Sequence, residues 1–313
     1  MSNLMESIDS RTKLVGENRL ELLMFRLKGK QIFAINVFKI QEVVQVPPLT
    51  EMPHSHSAIC GVAHLRGRAI PVIDLNVAIG RTPIADRENG NLIVTEYNQS
   101  VQGFLVGSVD RIINLNWDSI LPPPKASGKE HFLTAFTRVN EEIVEILDVE
   151  RVLADIIPPT TQVSEDVIQR DLLDLVKGKK LEILSVDDST TARRQIIETI
   201  ANLNMGIIVR TANDGLKGLT LLEKMSEECD DVSSELLMVI TDAEMPEMDG
   251  YRMTHEIRNN PKLKNLHIVM HTSLSGSFNE AMVEKVGCDG FLSKFRPDAL
   301  AAIIQERIRQ VYG

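Results

Sequence analysis

Cysteine is scarce. The three in 313 residues, Cys60, Cys229 and Cys288, lie far apart and form no C-x-x-C pair. That spacing excludes a disulfide framework and fits isolated thiols in a reducing compartment, so a cytoplasmic location is expected. Long apolar runs are missing as well. No stretch reaches the ~18–20 apolar residues of a membrane span, and the start, Met1 to Arg11, lacks the basic-then-apolar pattern of an export signal, so no membrane insertion is expected. Positive charge is short in both halves: the formal net charge is −10, with 19 basic against 23 acidic residues in 1–179 and 15 against 21 in 180–313. Without a basic stripe to release counterions from a phosphate backbone, nucleic-acid binding is not expected. Nor does a G-x-S-x-G elbow occur, which disfavours an esterase.

What is present is 43 % hydrophobic content over a length that suggests two domains. Residues 1–17 are polar enough to form a loose arm and carry no functional reading. Short β-like runs begin with Glu21 to Leu27 and, after a Gly29-Lys30 turn, Gln31 to Ile35. They continue at Gly61–Leu65, Ala69–Ile73, Asn91–Glu96, Gln102–Gly107, Phe132–Val139 and Ile143–Val149. Spacings of this kind predict an all-β domain over 18–157, with a hairpin that turns at Gly67 and leaves Arg66 at its tip. His54, His56, Cys60 and His64 fall within eleven residues, but Pro53 and the strand around His64 argue against convergence on a metal.

Ile157-Pro-Pro-Thr-Thr-Gln-Val163 removes backbone donors and ends that domain, making 158–179 a linker. A helix capped by Ser164 and running to Lys177 is expected there, with Val167, Ile168, Leu172, Leu175 and Val176 on one face, packed between the domains. From residue 180 strands and helices alternate: strands at 181–186, 207–211, 236–241, 267–271 and 290–293, helices at 189–202, 214–228, 250–258, 277–286 and 297–311. Five of each predict a doubly wound parallel sheet.

Chemistry gathers at strand ends, where such sheets hold ligands. One buried-type run ends in Asp187-Asp188, a second in Asp242, and two more end in Thr272 and Lys294. Three carboxylates brought together would raise one another's pKa unless a cation intervenes, and hard oxygen ligands suit Mg²⁺. An aspartate beside Mg²⁺ can act as nucleophile and form an acyl phosphate, with a hydroxyl and an ammonium to hold phosphoryl oxygens.

In the acid pair, in Asp242-Ala-Glu-Met-Pro-Glu-Met-Asp-Gly250, in Thr272 and in Lys294, residues 180–313 resemble the receiver domain of two-component response regulators. The resemblance implies Asp242 as phosphoacceptor. It implies Asp187, Asp188, Asp242 and the Glu244 backbone carbonyl as Mg²⁺ ligands, Thr272 and Lys294 as phosphoryl contacts, and Phe291 as the switch aromatic. Two positions depart from the family: Phe295 replaces the Pro that commonly follows the lysine, and Phe291 lacks a hydroxyl. Residues 18–157 resemble the CheW-like coupling domain of bacterial chemotaxis through Ile40-Gln-Glu-Val43, Gly61-Val-Ala-His-Leu-Arg-Gly67 and Pro71-Val-Ile-Asp-Leu75, with His64 where that family usually has Asn. This implies a non-catalytic double β-barrel, with Arg66 and Glu42 at partner interfaces; pinning of its own turn is the structural alternative for Arg66.

The order of the two halves is similar to that of the CheV family, which implies a chemotaxis adaptor with chemoreceptors and the histidine kinase as partners. Recruitment to membrane-associated receptor arrays and phosphorylation by that kinase follow from the same resemblance. A phosphate sink localised by its coupling domain is the alternative. A phosphoaspartate hydrolase, which needs D-x-D, meets Asp242-Ala-Glu244 instead, so no enzyme is expected. With no output domain recognised after the last helix, the signal is expected to leave through the amino-terminal half.

Overall fold

The computed structural model describes residues 19–97, 100–116, 119–121, 132–158, 160–272, 283 and 285–313; the arm at 1–17 and most of the expected helix at 277–286 lie outside them. The chain divides into two compact units, Arg19–Pro158 and the residues from Pro159 onward.

Among the described residues the first unit is β apart from two short α-helices and one 3-10 turn, Val37–Lys39. Its strands are β1 (Arg19–Arg26), β2 (Ile32–Asn36), β3 (Ile40–Gln45), β4 (Leu49–Thr50), β5 (Ile59–Leu65) and β6 (Arg68–Asp74). After α1 (Leu75–Ala78) come β7 (Asn91–Tyr97), β8 (Ser100–Val106), β9 (Ser108–Asn116), β10 (Leu133–Val139), β11 (Glu142–Leu147) and α2 (Val149–Ile156). They form one sheet ordered β10-β11-β2-β1-β9 and another ordered β3-β7-β8-β6-β5-β4. Sequence reading did not assign β3, β4 or β9 as strands. β9 exposes most of its residues, Ile112 among them, so its apolar alternation is short and confined largely to Ile113 and Leu115.

Alternate residues of β1 explain how two sheets share one unit. Leu23 and Phe25 enter a core with Phe33 and Ile35 of their own sheet and Ile73, Ile93 and Phe104 of the other. Leu20, Leu22 and Met24 point the opposite way, into a core closed by β2, β10 and β11 with Ile113 and Leu115 of β9. A sheet whose far face encloses its own core has to curl around it, and the second sheet does the same about Val72, Leu92 and Leu105.

The second unit contains α3 (Leu172–Leu175), β12 (Glu182–Val186), α4 (Thr190–Asn202), β13 (Ile208–Ala212), α5 (Gly215–Glu228), β14 (Met238–Thr241), α6 (Gly250–Asn259), β15 (Ile268–Thr272), β16 (Gly290–Ser293) and α7 (Pro297–Tyr312). All the pairings are parallel, in the order β13-β12-β14-β15-β16. Continuous apolar strands are needed because both faces are covered. Ile183, Ile240 and Val269 pack under α4 and α7, while Leu184, Val239 and Ile268 pack under α5 and α6.

The expected helix from Ser164 to Lys177 is reduced to the single turn of α3. Tertiary hydrogen bonds displace the helical ones: Ser164 N–H and Oγ donate to the Asp298 carboxylate, and Gln169 N–H donates to Gln305 Oε1. The apolar residues chosen by helical spacing are still covered, but by the core of this unit: Leu172 and Val176 are buried with residues of α4 and α7, and Val167, Ile168 and Leu175 pack, partly buried, against the same core.

If the shared core holds the two β sheets together, Phe104→Ala should cost about 3–5 kcal/mol and unfold both sheets at a lower urea concentration in one step. A loss under about 1 kcal/mol in urea titration would argue against that dependence.

Candidate functional site

The strand order reverses between β12 and β14, which opens a crevice at their carboxyl ends. Both strands end there in carboxylates. Asp242 N–H donates to Val186 O at 2.8 Å, and Asp187 N–H to Ala212 O at 3.2 Å, so the ladder is carried one step past each strand and sets the acids side by side. One oxygen each of Asp187, Asp188 and Asp242 lies within 4.8 Å of the others. Among the described residues this is the only such group of acidic, His or Cys side chains.

Lys294 enters the group from the end of β16. Its ammonium lies 2.8 Å from Asp242 Oδ2 and 2.9 Å from Asp187 Oδ2, and the side chain is 1 % exposed. The other oxygen of each of these two acids accepts from a backbone donor. Asp187 Oδ1 accepts from Ser189 N–H at 2.8 Å, and Asp242 Oδ1 accepts from Ala243 N–H at 2.7 Å. Asp188 is half-buried, giving the cluster a solvent edge. Burial pushes the Asp187 carboxyl well above the usual range; Lys294 pulls it back, and Asp242 and Asp188 push it up again. Three carboxylates thus face one ammonium, with hard oxygen donors, and this donor set fits a small divalent cation.

The loop after Asp242 shows why the Met-Pro-Glu-Met-Asp-Gly run is spelled so. Met245 and Met248 are buried in the core beneath α5 and α6, and Glu247 takes a positive φ of 63°. Asp249 caps α6 by accepting from Arg252 N–H at 2.7 Å. Gly250 returns so close that a Cβ there would stand 1.9 Å from Asp242 O. No other residue fits that approach without moving the acid. Glu244 lies half-buried in this loop, two residues beyond Asp242.

Thr272 ends β15 and is buried; its carbonyl accepts from Lys294 N–H at 3.0 Å. Phe291 pairs in register with Met270 and packs against the small core formed by Met270, Val283 and Ala243, the last being the residue whose N–H holds Asp242. Every receiver residue expected from sequence therefore sits at or beside one crevice. Among the described residues no peptide is cis, that between Lys294 and Phe295 included, and Phe295 takes a φ of 60°. Sequence reading missed Tyr251, which packs in the same cluster as Phe291. Burial and then the charges of Glu244, Asp249 and Asp242 push its phenol above the usual range. Its only signal was its place directly after Asp249-Gly250.

In the first unit Arg66 and Gly67 have φ of 49° and 76°, and Leu65 pairs with Arg68, so the hairpin closes through two left-handed residues. The Arg66 guanidinium is 80 % exposed and lies 2.7 Å from Glu42 Oε2 on β3. The two residues singled out from sequence thus form one ion pair, at the rim of a groove of about 370 Å³ that includes Gln41, Leu65, Arg68 and Ile70. The histidine-rich stretch is engaged locally: His56 Nδ1 accepts from Ala58 N–H, and the Cys60 thiol donates to Val72 O.

Residues 21–156 match the family described as CheW-like domain, and residues 183–305 the response regulator receiver domain. The chain is 33 % identical to chemotaxis protein CheV3 of Helicobacter pylori over 293 residues, covering 89 % of this chain and 91 % of that protein. It is 30 % identical to chemotaxis protein CheV1 of the same organism over 326 aligned positions, covering 98 % of each. A solved structure, scaffolding protein TtCheW from Thermoanaerobacter tengcongensis, is 26 % identical with a TM-score of 0.38, covering 41 % of this chain and 88 % of that one.

The raised Asp187 carboxyl has a consequence for stability. The folded state holds that proton more tightly than the unfolded chain, so stability falls as pH rises from the ordinary aspartate range through the raised folded value. Asp187→Asn should accordingly raise the Tm at neutral pH in chelator-treated buffer, by a gain that shrinks as pH is lowered toward about 4. Thermal melts across pH test this, and a loss of stability at neutral pH would contradict it.

Proposed function

The chain belongs to the CheV family, chemotaxis coupling adaptors that join a CheW-like domain to a receiver domain, and from this we propose that it couples chemoreceptors to the chemotaxis histidine kinase and is phosphorylated by that kinase on Asp242. The observation that carries the reading is the buried cluster of Asp187, Asp188 and Asp242 around Lys294 at the reversal of the sheet. The domain boundaries we adopt are 18–157 for the coupling domain, 158–179 for the connection and 180–313 for the receiver.

An Asp242 carboxylate oxygen attacks the phosphorus of the kinase phosphohistidine; the O–P bond forms as the N–P bond breaks, and the imidazole leaves with the electron pair and takes up a proton. Lys294, already 2.8 Å from Asp242, is placed to pair with a phosphoryl oxygen. Asp187, Asp188, Asp242 and the Glu244 carbonyl would hold Mg²⁺, which when bound offsets the negative charge gathered on the phosphoryl oxygens. Thr272 donates its hydroxyl to another phosphoryl oxygen. Phe291 and Tyr251, packed against the small core that contains Ala243, would sense the change next to Asp242. No substrate other than the chain itself is turned over, in keeping with an adaptor. The described residues include no helix long and apolar enough to cross a membrane, and association with receptor arrays would run through the coupling domain.

With Mg²⁺ and phosphorylated kinase, intact-mass analysis should find one phosphoryl group on the wild-type chain and none on Asp242→Asn. Equal labelling of the two would remove the assignment. Thr272→Ala should still be labelled but lose most of a change in kinase or receptor affinity of roughly 5–150-fold, the span of typical coupling energies. Equal partner affinity with and without phosphate on the wild type would leave only a phosphate sink.

We assign the Arg66–Glu42 pair to the coupling surface; most of the arginine is in solvent. Arg66→Ala is expected to weaken kinase or receptor binding by about tenfold while moving the Tm little, since an exposed pair contributes about 0–1 kcal/mol to folding. A large Tm loss would assign Arg66 to its own turn.

A further inference from the structure

Residues 160–178 are bound along their length to two helices, α4 and α7. From α4, Gln195 Nε2 donates to Thr160 O at 3.2 Å, and Asn202 Nδ2 to Thr161 O at 2.8 Å. Along α7, Asp298 accepts from Ser164, Gln305 accepts from Gln169 N–H at 2.6 Å and donates to Val167 O at 3.1 Å, and Arg309 pairs with Asp171 at 3.1 Å. Gln195 and Asn202 are seven residues apart; Asp298, Gln305 and Arg309 are seven and four apart. Each set therefore forms one stripe of its helix facing the segment. Gln305 is fully buried, a costly place for an amide unless its polar atoms are used, and here they hold the backbone of the segment.

Both helices start at the candidate site. α4 follows Asp187-Asp188 directly, and its cap, Ser189, donates its N–H to Asp187; within the first turn the Arg193 guanidinium donates to Asp187 O. Lys294 lies in the cluster four residues before Asp298. A shift of Lys294 toward a new anion, or of Asp187 toward a cation, therefore acts on the first turns of the two helices that grip the segment.

We propose that residues 160–178 are a strap whose hold on α4 and α7 is set by the occupancy of the acidic site, so that the connection to the coupling unit is itself the output of the receiver. This rests on the reading of that site given above. Release of the strap would free roughly 19 residues, up to about 60 Å of extended chain, and lower the effective concentration of one unit at a partner bound by the other. No separate output domain is required.

Amide hydrogen exchange on the full chain tests this, with Mg²⁺ and beryllium fluoride as phosphoryl stand-in. Occupancy is expected to change exchange in 160–178 by at least about threefold more than in α5, on the opposite face of the sheet. Gln305→Ala and, separately, Ser164→Ala should each raise exchange in 160–178 by about tenfold while β12 and β14 stay protected, and should reduce the response to occupancy. Slowed exchange at 187–189 and 242–243 with no change in 160–178 would overturn the strap and leave the site standing. No response at 187–189 and 242–243 would overturn the site itself, and the strap as its output with it. The Ser164→Ala variant removes only an exposed hydroxyl, so misfolding of Gln305→Ala does not rescue the proposal.

Discussion

A single buried ammonium ties together the carboxyl ends of three strands of the receiver unit. Lys294 leaves β16, at the edge of the sheet, and reaches past β15 to Asp242 after β14 and Asp187 after β12. Only a long side chain spans that distance. Taking the ammonium out of water costs several kcal/mol, which two carboxylates within 2.9 Å offset, and the carboxylates in turn would repel each other without it. The same pairing fixes the edge strand, the loop after Asp242 and the start of α4 relative to one another. A site so arranged is sensitive to any charge added to it, because each new cation or anion competes for a partner that already has a structural duty.

Around that interaction the backbone leaves little slack. Gly250 presses against Asp242 O, and Gly215, at the start of α5, would meet Met248 O at 2.3 Å if it carried a Cβ. The acid is therefore held by the main chain on one side and Lys294 on the other. Beside it lies a small core that contains Ala243, against which Phe291 and Tyr251 pack partly buried. The first unit works on different terms. Its buried residues divide among two sheet interiors and one shared core, and the Arg66–Glu42 pair and the groove beside it are on the outside.

Much of this was legible beforehand for physical reasons. A strand buried on both faces must be apolar throughout, so β12, β14 and β15 were visible as runs, and a parallel sheet exposes ligand groups at strand ends, so Asp187, Asp188, Asp242, Thr272 and Lys294 could be named from position. Arg66 at a turn followed from Gly67. β9 was not visible, because most of it is exposed and its alternation is limited to Ile113 and Leu115, too short to mark a strand. Tyr251 was passed over because nothing in its neighbours distinguishes a core tyrosine from one among carboxylates.

The segment 160–178 draws the line between the two kinds of knowledge. Its apolar spacing determined that Leu172 and Val176 would be buried, since hydrophobic side chains at helical intervals seek one face. It could not determine against what, or in which backbone form. Ser164, Gln169 and Asp171 find their partners in Asp298, Gln305 and Arg309, more than 130 positions away, and those bonds outcompete the local helix. Composition and period decide which side chains leave water; only the tertiary fold decides which distant donor or acceptor meets each backbone group.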